Sequence, residues 1–209
     1  RSTLFPSTTL FRSARLGLFA TLTALGQPML YMGQEFGVDR PRNLVIFDWP
    51  GNPDEDPFFA WARKLINLRG RHPALRLRGY NPLADGVFAW SAGPWLAPER
   101  GGGKKAIAWR ARAGEPREHL AVAINFANEP VTLDLEVGGD GAWRQVADLD
   151  RVEEEGEAGP ALEARDGLLR GFTLPAMDRA ILIDRFIPSR FAAFNAVVAT
   201  WESLPSIST

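Results

Sequence analysis

The segment MLYM, residues 29–32, constrains the fold of this chain more than any other stretch. It is too short for a helix and lacks polar alternation, so it suits a strand covered on both faces, as in a parallel sheet. Just before it, ARLGLFATLTALG places Leu16, Phe19 and Thr23 on one helical face and Leu18, Leu22 and Leu25 on another, with Gly26 as the stop. A helix that is apolar nearly all round must be buried on more than one side and needs a larger body than itself. Only Gln27 and Pro28 separate the two, which gives helix, tight turn and buried strand, half of a βαβ unit.

The next helix is read in FFAWARKLINLRGRHPAL. It is introduced by the cluster Asp54, Asp56 and Pro57, has Phe58, Trp61, Leu65 and Leu68 at helical spacing, and is ended by Pro73. Between strand and helix lies GQEFGVDRPRNLVIFDWPGNPDEDP, far longer than an ordinary connection of a few residues. In α/β barrels such loops, at the C-terminal ends of the strands, carry the site. Gly33 and Gly37 permit tight turns that would deliver Gln34 and Glu35 to the rim, where hydroxyl-rich or charged ligands could be bonded.

Beyond residue 74 the pattern changes to short strands: GVFAWSA, KKAIAWRAR, HLAVAINFAN, PVTLDLEV, AWRQVADL, GLLRGFTL and RAILIDRF. LAVAINF and VTLDLEV alternate, and ADG, GGG, ANEP, GGDG and EEEGEAGP punctuate the series. These predict an antiparallel β-sandwich or barrel over residues 74–187, with the acidic stretch Glu153 to Glu157 as a solvated loop. Residues 188–209 carry one weakly amphipathic piece, FAAFNAVVATW, and are treated as a tail. At the other end, LFPSTTLFRS within residues 1–13 looks like a translated sequencing adapter with one residue changed, and is set aside from the fold.

Composition narrows the function classes. The 209 residues carry 24 basic and 25 acidic side chains, well mixed, so there is no electrostatic footprint for nucleic acid or an anionic membrane. No run of about 18 apolar residues is present to span a bilayer. With no cysteine and only His72 and His119, neither disulfides nor a metal cluster is expected, no cofactor is implied, and a cytoplasmic location is the default. His72 before Pro73 suits a helix-end cap, and His119 opens a strand with no partner evident in the sequence.

LGQPMLYMGQEFG, the helix ending RGRHPAL, and a β region with LAVAINFANEP and FTLPAMDRAILI together resemble the C-terminal end of the α-amylase family, glycoside hydrolase family 13. The resemblance covers residues 14 to about 187. It implies a fold of α/β plus all-β class: residues 14–73 as the last helix–strand–helix of a (β/α)8 TIM barrel, then a C-terminal antiparallel β-sandwich. It implies retaining chemistry on α-glucosidic bonds, with a nucleophile Asp, an acid/base Glu and a second Asp on barrel strands that would precede Ala14. No catalytic residue is therefore expected in this chain, and the partner implied is an α-glucan or oligosaccharide.

Gln34, Glu35, Phe36 and Trp49 are the candidate substrate-binding residues. Glu35 would either orient neighbouring backbone or an arginine at the rim, or bond a sugar hydroxyl. Asp39, beside Arg40 and Arg42, suits a surface ion pair, and Asp48 a loop anchor, better than either suits pairing with Glu35. Trp49, Trp90 and Trp95 offer flat apolar faces that complement the C–H faces of a pyranose, whereas Trp61 and Trp109 fall in core patterns. The spellings MGQEFG and FDWP resemble glucan branching enzymes and maltooligosyltrehalose trehalohydrolases. The alternative from another class is a non-catalytic carbohydrate-binding β module.

Overall fold

The computed structural model of the protein describes residues 8–37, 52–79, 81–113, 118–153 and 161–184. Two helices, α1 (Thr8–Thr23) and α2 (Pro57–Arg71), precede eight strands. These are β1 (Phe88–Ala92), β2 (Ala106–Ala113), β3 (Glu118–Asn125), β4 (Val131–Glu136), β5 (Gly141–Ala147), β6 (Ala161–Ala164), β7 (Leu168–Leu174) and β8 (Arg179–Ile183). Seven of the strands coincide with the segments read from the sequence; the short β6, ALEA, follows the acidic stretch and has no clear period of its own. Helix α1 begins at Thr8, ahead of the Ala14 at which apolar periodicity starts.

The cap of α2 follows from its sequence. The Asp56 carboxylate accepts the N–H groups of Phe58 at 2.8 Å and Phe59 at 3.0 Å, and Pro57 occupies the first helical position, where a missing donor is harmless. Replacing Asp56 by alanine is expected to lower stability by about 1 kcal/mol, with urea unfolding as the measurement. At the far end His72 caps the helix through its own N–H to the Leu68 carbonyl and holds Glu118 of β3 at 2.7 Å through Nδ1.

The sheets are unequal. Six strands in the order β1-β2-β3-β8-β5-β6 form one antiparallel sheet, and β4 pairs with β7 in a second. The large sheet is a central layer. One face packs on α1, α2 and the 3-10 turn Pro73–Leu75 through Phe88, Trp109, Leu120, Val122, Ile124, Ile181 and Ile183. The other packs on β4 and β7 through Ala108, Ala121, Ala123, Ala180 and Leu182 against Leu133, Leu135 and Leu174, with Trp143 wholly buried among them.

This layering corrects the reading of LAVAINF. Its alternation is one of size: Leu120, Val122 and Ile124 fill the wider space beneath the helices, and Ala121 and Ala123 allow the second sheet to approach. VTLDLEV does alternate in polarity, because β4 has one covered face. The acidic stretch also departs from expectation at its first residue, since Glu153 is buried and its N–H donates to the Val146 carbonyl at 2.8 Å.

The barrel strand expected at Met29–Met32 is not formed. Residues 27–31 have no regular structure, and Met29 is 80% exposed, with Tyr31 and Met32 also open. A parallel strand needs a hydrogen-bonded neighbour, and none stands beside this segment among the described residues. Of the predicted helix–strand–helix over 14–73, the two helices are present and pack on each other. Arg69 of α2 seals the end of α1, donating to the Leu22 carbonyl at 2.6 Å and the Gly26 carbonyl at 2.7 Å. Burial holds the Arg69 guanidinium below its usual pKa.

Candidate functional site

Gln34, Glu35 and Phe36 form a 3-10 turn flanked by Gly33 at φ 95° and Gly37 at φ 65°, both in the left-handed region that glycine alone adopts freely. The two polar side chains fold back on their own turn. Gln34 Oε1 accepts the Tyr31 N–H at 2.8 Å, and Glu35 Oε2 accepts the Gly33 N–H at 2.9 Å. Phe36 is buried and stacks on Phe59 of α2, ring centroids 4.7 Å apart at 13°, so the turn is fastened to the second helix. A Cβ on Gly37 would sit 3.3 Å from the Phe58 ring, which explains the close approach there.

The turn is thus a preformed bracket. Gln34 stays exposed, and Glu35 uses one carboxylate oxygen on the backbone of its own turn. Trp49, Asp39 and Asp48 lie outside the described residues, so the structure brings together three of the four candidate binding residues.

A second concentration of charge lies at the start of β8. Arg179 opens β8 on the face that meets the helices, with its side chain wholly buried. Its Nη2 donates to the Leu149 carbonyl at 2.7 Å, and its guanidinium lies 4.9 Å from the Trp61 ring and 5.3 Å from that of Phe19. Arg15 of α1 also lies over Trp61, at 5.4 Å, and pairs with Asp150 at 3.1 Å. Burial lowers the Arg179 pKa to about 10, opposed by the Asp178 carboxylate, and burial pushes Asp178 up. The available signal was a basic residue at an inward position of the otherwise apolar RAILI.

Beside this network a cleft of about 490 Å3 is lined by Arg12, Gln145, Asp148, Asp150, Phe172 and Asp178, among others. Its carboxylates are partly committed to structure: Asp148 Oδ1 accepts the Asp150 and Arg151 N–H groups, and Asp178 Oδ1 that of Arg179. No group of three His, Cys, Asp or Glu among the described residues could hold a metal ion.

The remaining sequence candidates separate cleanly. Trp61 and Trp109 are core residues. Trp90 and Trp95 are exposed and meet edge to face, centroids 5.2 Å apart at 87°. His119 finds a neighbour the sequence did not reveal: its N–H donates to Asp184 Oδ1 at 3.1 Å. No helix among the described residues is long and apolar enough to cross a membrane.

No protein-family model matches the chain. Its fold is similar to that of the catalytic module of the glycogen-degrading pneumococcal virulence factor SpuA in complex with an inhibitor, with a TM-score of 0.61 at 19% identity over 84% of this chain and 31% of that one. It is also similar to pullulanase type I from Bacillus subtilis complexed with maltose, with a TM-score of 0.57 at 20% identity over 83% of this chain and 23% of that one. For an Anoxybacillus alpha-amylase the TM-score is 0.55 at 18% identity, over 82% of this chain and 32% of that one. At these identities the likeness establishes the fold. The chain spans between 23% and 32% of the length of these three structures.

Proposed function

We propose that the chain is part of an α-glucan-processing enzyme of the α-amylase family, with residues 14–73 closing a (β/α)8 barrel and residues 74–187 forming the C-terminal β-sandwich. The observation that carries this reading is a fold shared over more than four-fifths of the chain with a glycogen-degrading module, a pullulanase and an alpha-amylase, each much longer than the chain. The state of residues 29–32 supports it independently. An apolar run with Met29 at 80% exposure, held between two packed helices, is what a barrel strand becomes without its neighbours.

The chemistry would be retaining cleavage of an α-glucosidic bond by two carboxylates about 5 Å apart, one protonated as acid and one ionised as nucleophile. Glu35 does not meet that need within the chain, because it faces its own turn and stands apart from the cleft carboxylates. Both catalytic groups would come from outside these residues. The turn at residues 33–37 would shape the barrel rim, with Gln34 offered to sugar hydroxyls and Glu35 fixing the backbone that presents it. Within the family, GQEFG and FDWP favour a branching or trehalohydrolase type, and transfer would differ from hydrolysis only in the acceptor that receives the glycosyl group.

The test is direct. The chain alone, incubated with glycogen, pullulan or starch, is expected to release no reducing sugar and transfer no branches. The same chain joined to the barrel portion encoded upstream is expected to do one or the other. Turnover by the chain alone would overturn the assignment of the catalytic groups. An inactive longer protein that still binds glycogen would instead favour the carbohydrate-binding module.

A further inference from the structure

We propose that Trp90 and Trp95 form a glucan-binding platform on the β domain, apart from the rim turn at residues 33–37, and that its ligand is an α-linked glucan. The choice of ligand rests on the function proposed above; the existence of the platform rests on local geometry. Trp95 is 57% exposed and Trp90 38%, on the edge strand β1 of the large sheet and the loop that follows it. Exposing two indoles this far forgoes much of the stabilisation that burial would give.

The loop that carries Trp95 is closed on itself by backbone hydrogen bonds. The Gly93 N–H donates to the Arg100 carbonyl, Gly102 to Ala97 and Gly103 to Pro94, at 2.9, 2.9 and 3.1 Å. The indole is laid flat on Gly93: a Cβ there would stand 2.8, 2.8 and 3.0 Å from three consecutive ring atoms, Cε2, Cζ2 and Cη2. Near-equal distances to three neighbouring atoms place that point over the face of the ring. One face is therefore fixed against backbone, and the exposure belongs to the other. Trp90 is fixed in turn by edge-to-face contacts with Phe88 at 5.3 Å and Trp109 at 6.1 Å.

The same loop carries Arg100 and Glu99. The Arg100 guanidinium donates to the carbonyls of Trp90 and Ser91, both at 2.9 Å, and Glu99 is exposed in the same loop. An indole with one face held against backbone and the other open suits a pyranose, which offers C–H groups on its faces. A β-1,4 glucan is a flat ribbon that a coplanar row of rings would match, and two rings set at 87° offer no such row; the α-linked glucan follows from the function proposed above.

The experiment is native electrophoresis of the whole chain through gels containing glycogen, pullulan, hydroxyethyl cellulose or no polysaccharide. The chain is expected to be slowed by glycogen and pullulan alone. Trp95→Ala and Trp90→Ala should each weaken that retardation about tenfold, with Trp95→Phe between them and wild type. Circular dichroism and the thermal midpoint of Trp95→Ala should match wild type, since the side chain is on the surface. Retardation by glycogen that survives both alanine variants would overturn the platform while leaving the proposed function intact. Retardation by hydroxyethyl cellulose that depends on Trp95 would overturn the α-linked ligand and count against that function. Trp95-dependent self-association with no retardation would make the patch a protein interface, and a chain that no polysaccharide slows has no platform; either result overturns the proposal and leaves the function to the hydrolysis assay.

Discussion

Replacing Trp61 by alanine is expected to lower stability by about 3–5 kcal/mol, the range for truncating a buried aromatic, and to loosen the helix pair from the sheet. Trp61 is 4% exposed, touches Phe58 edge to face at 6.0 Å, and lies beneath the guanidinium groups of Arg15 and Arg179. Alanine removes the ring on which both cations rest, a loss of about 0.5–2 kcal/mol for each cation–π contact. Because Trp143 and the leucines of β4 belong to a separate core, β3 and β8 should keep slow amide exchange while α1 and α2 lose it. Trp61→Phe should cost much less, since the indole N–H has no hydrogen-bond partner among the described residues and phenylalanine discards it. Equal loss of protection in helices and strands, followed by hydrogen exchange, would refute the separation of the two cores.

Arg179 is expected to behave asymmetrically. Arg179→Ala should cost about 3–5 kcal/mol, because it empties a wholly buried site and leaves Asp178 without its nearest cation. Arg179→Met should cost less, because methionine fills the space and removes the desolvation of a charge whose Nε and Nη1 find no hydrogen-bond partner among the described residues. The pH dependence has a definite sign. Burial holds Arg179 at about 10, below its ordinary value, so below that pH its charge costs stability in the folded state. That cost is relieved as pH rises above about 10, and wild type should gain on Arg179→Met in that range. Urea unfolding of the two proteins at pH 7 and above pH 10 measures the difference; a gap that narrows at high pH would contradict the assignment.

The sequence was most legible where local chemistry alone sets the structure. Asp56 before Pro57 marked the start of α2 because capping is satisfied within one turn, and Gly26 marked the end of the α1 run. Seven strands were legible because turn clusters separate them. LAVAINF was harder, since hydrophobic alternation cannot tell a sheet covered on one face from a sheet covered on both. Met29–Met32 was read correctly as apolar, but strand formation depends on a neighbour that the segment does not carry within itself. The turn at residues 33–37 was legible as a turn because glycine brackets it. That Glu35 would close on the Gly33 amide depends on rotamers that spacing leaves open. Arg179 was the least visible, because one charge in RAILI is ambiguous until Phe19 and Trp61 are seen to enclose it.

The central position of the six-stranded sheet has a consequence for how such a protein could be divided or recombined. A cut near residue 74, where helical text gives way to strand text, looks clean along the chain but would expose Leu120, Val122, Ile124 and Ile181 in a single plane. That wet plane would invite aggregation. Any graft of the β portion onto another protein would have to bring the helix pair with it or supply a replacement roof, so the smallest transferable piece of this protein is the trilayer.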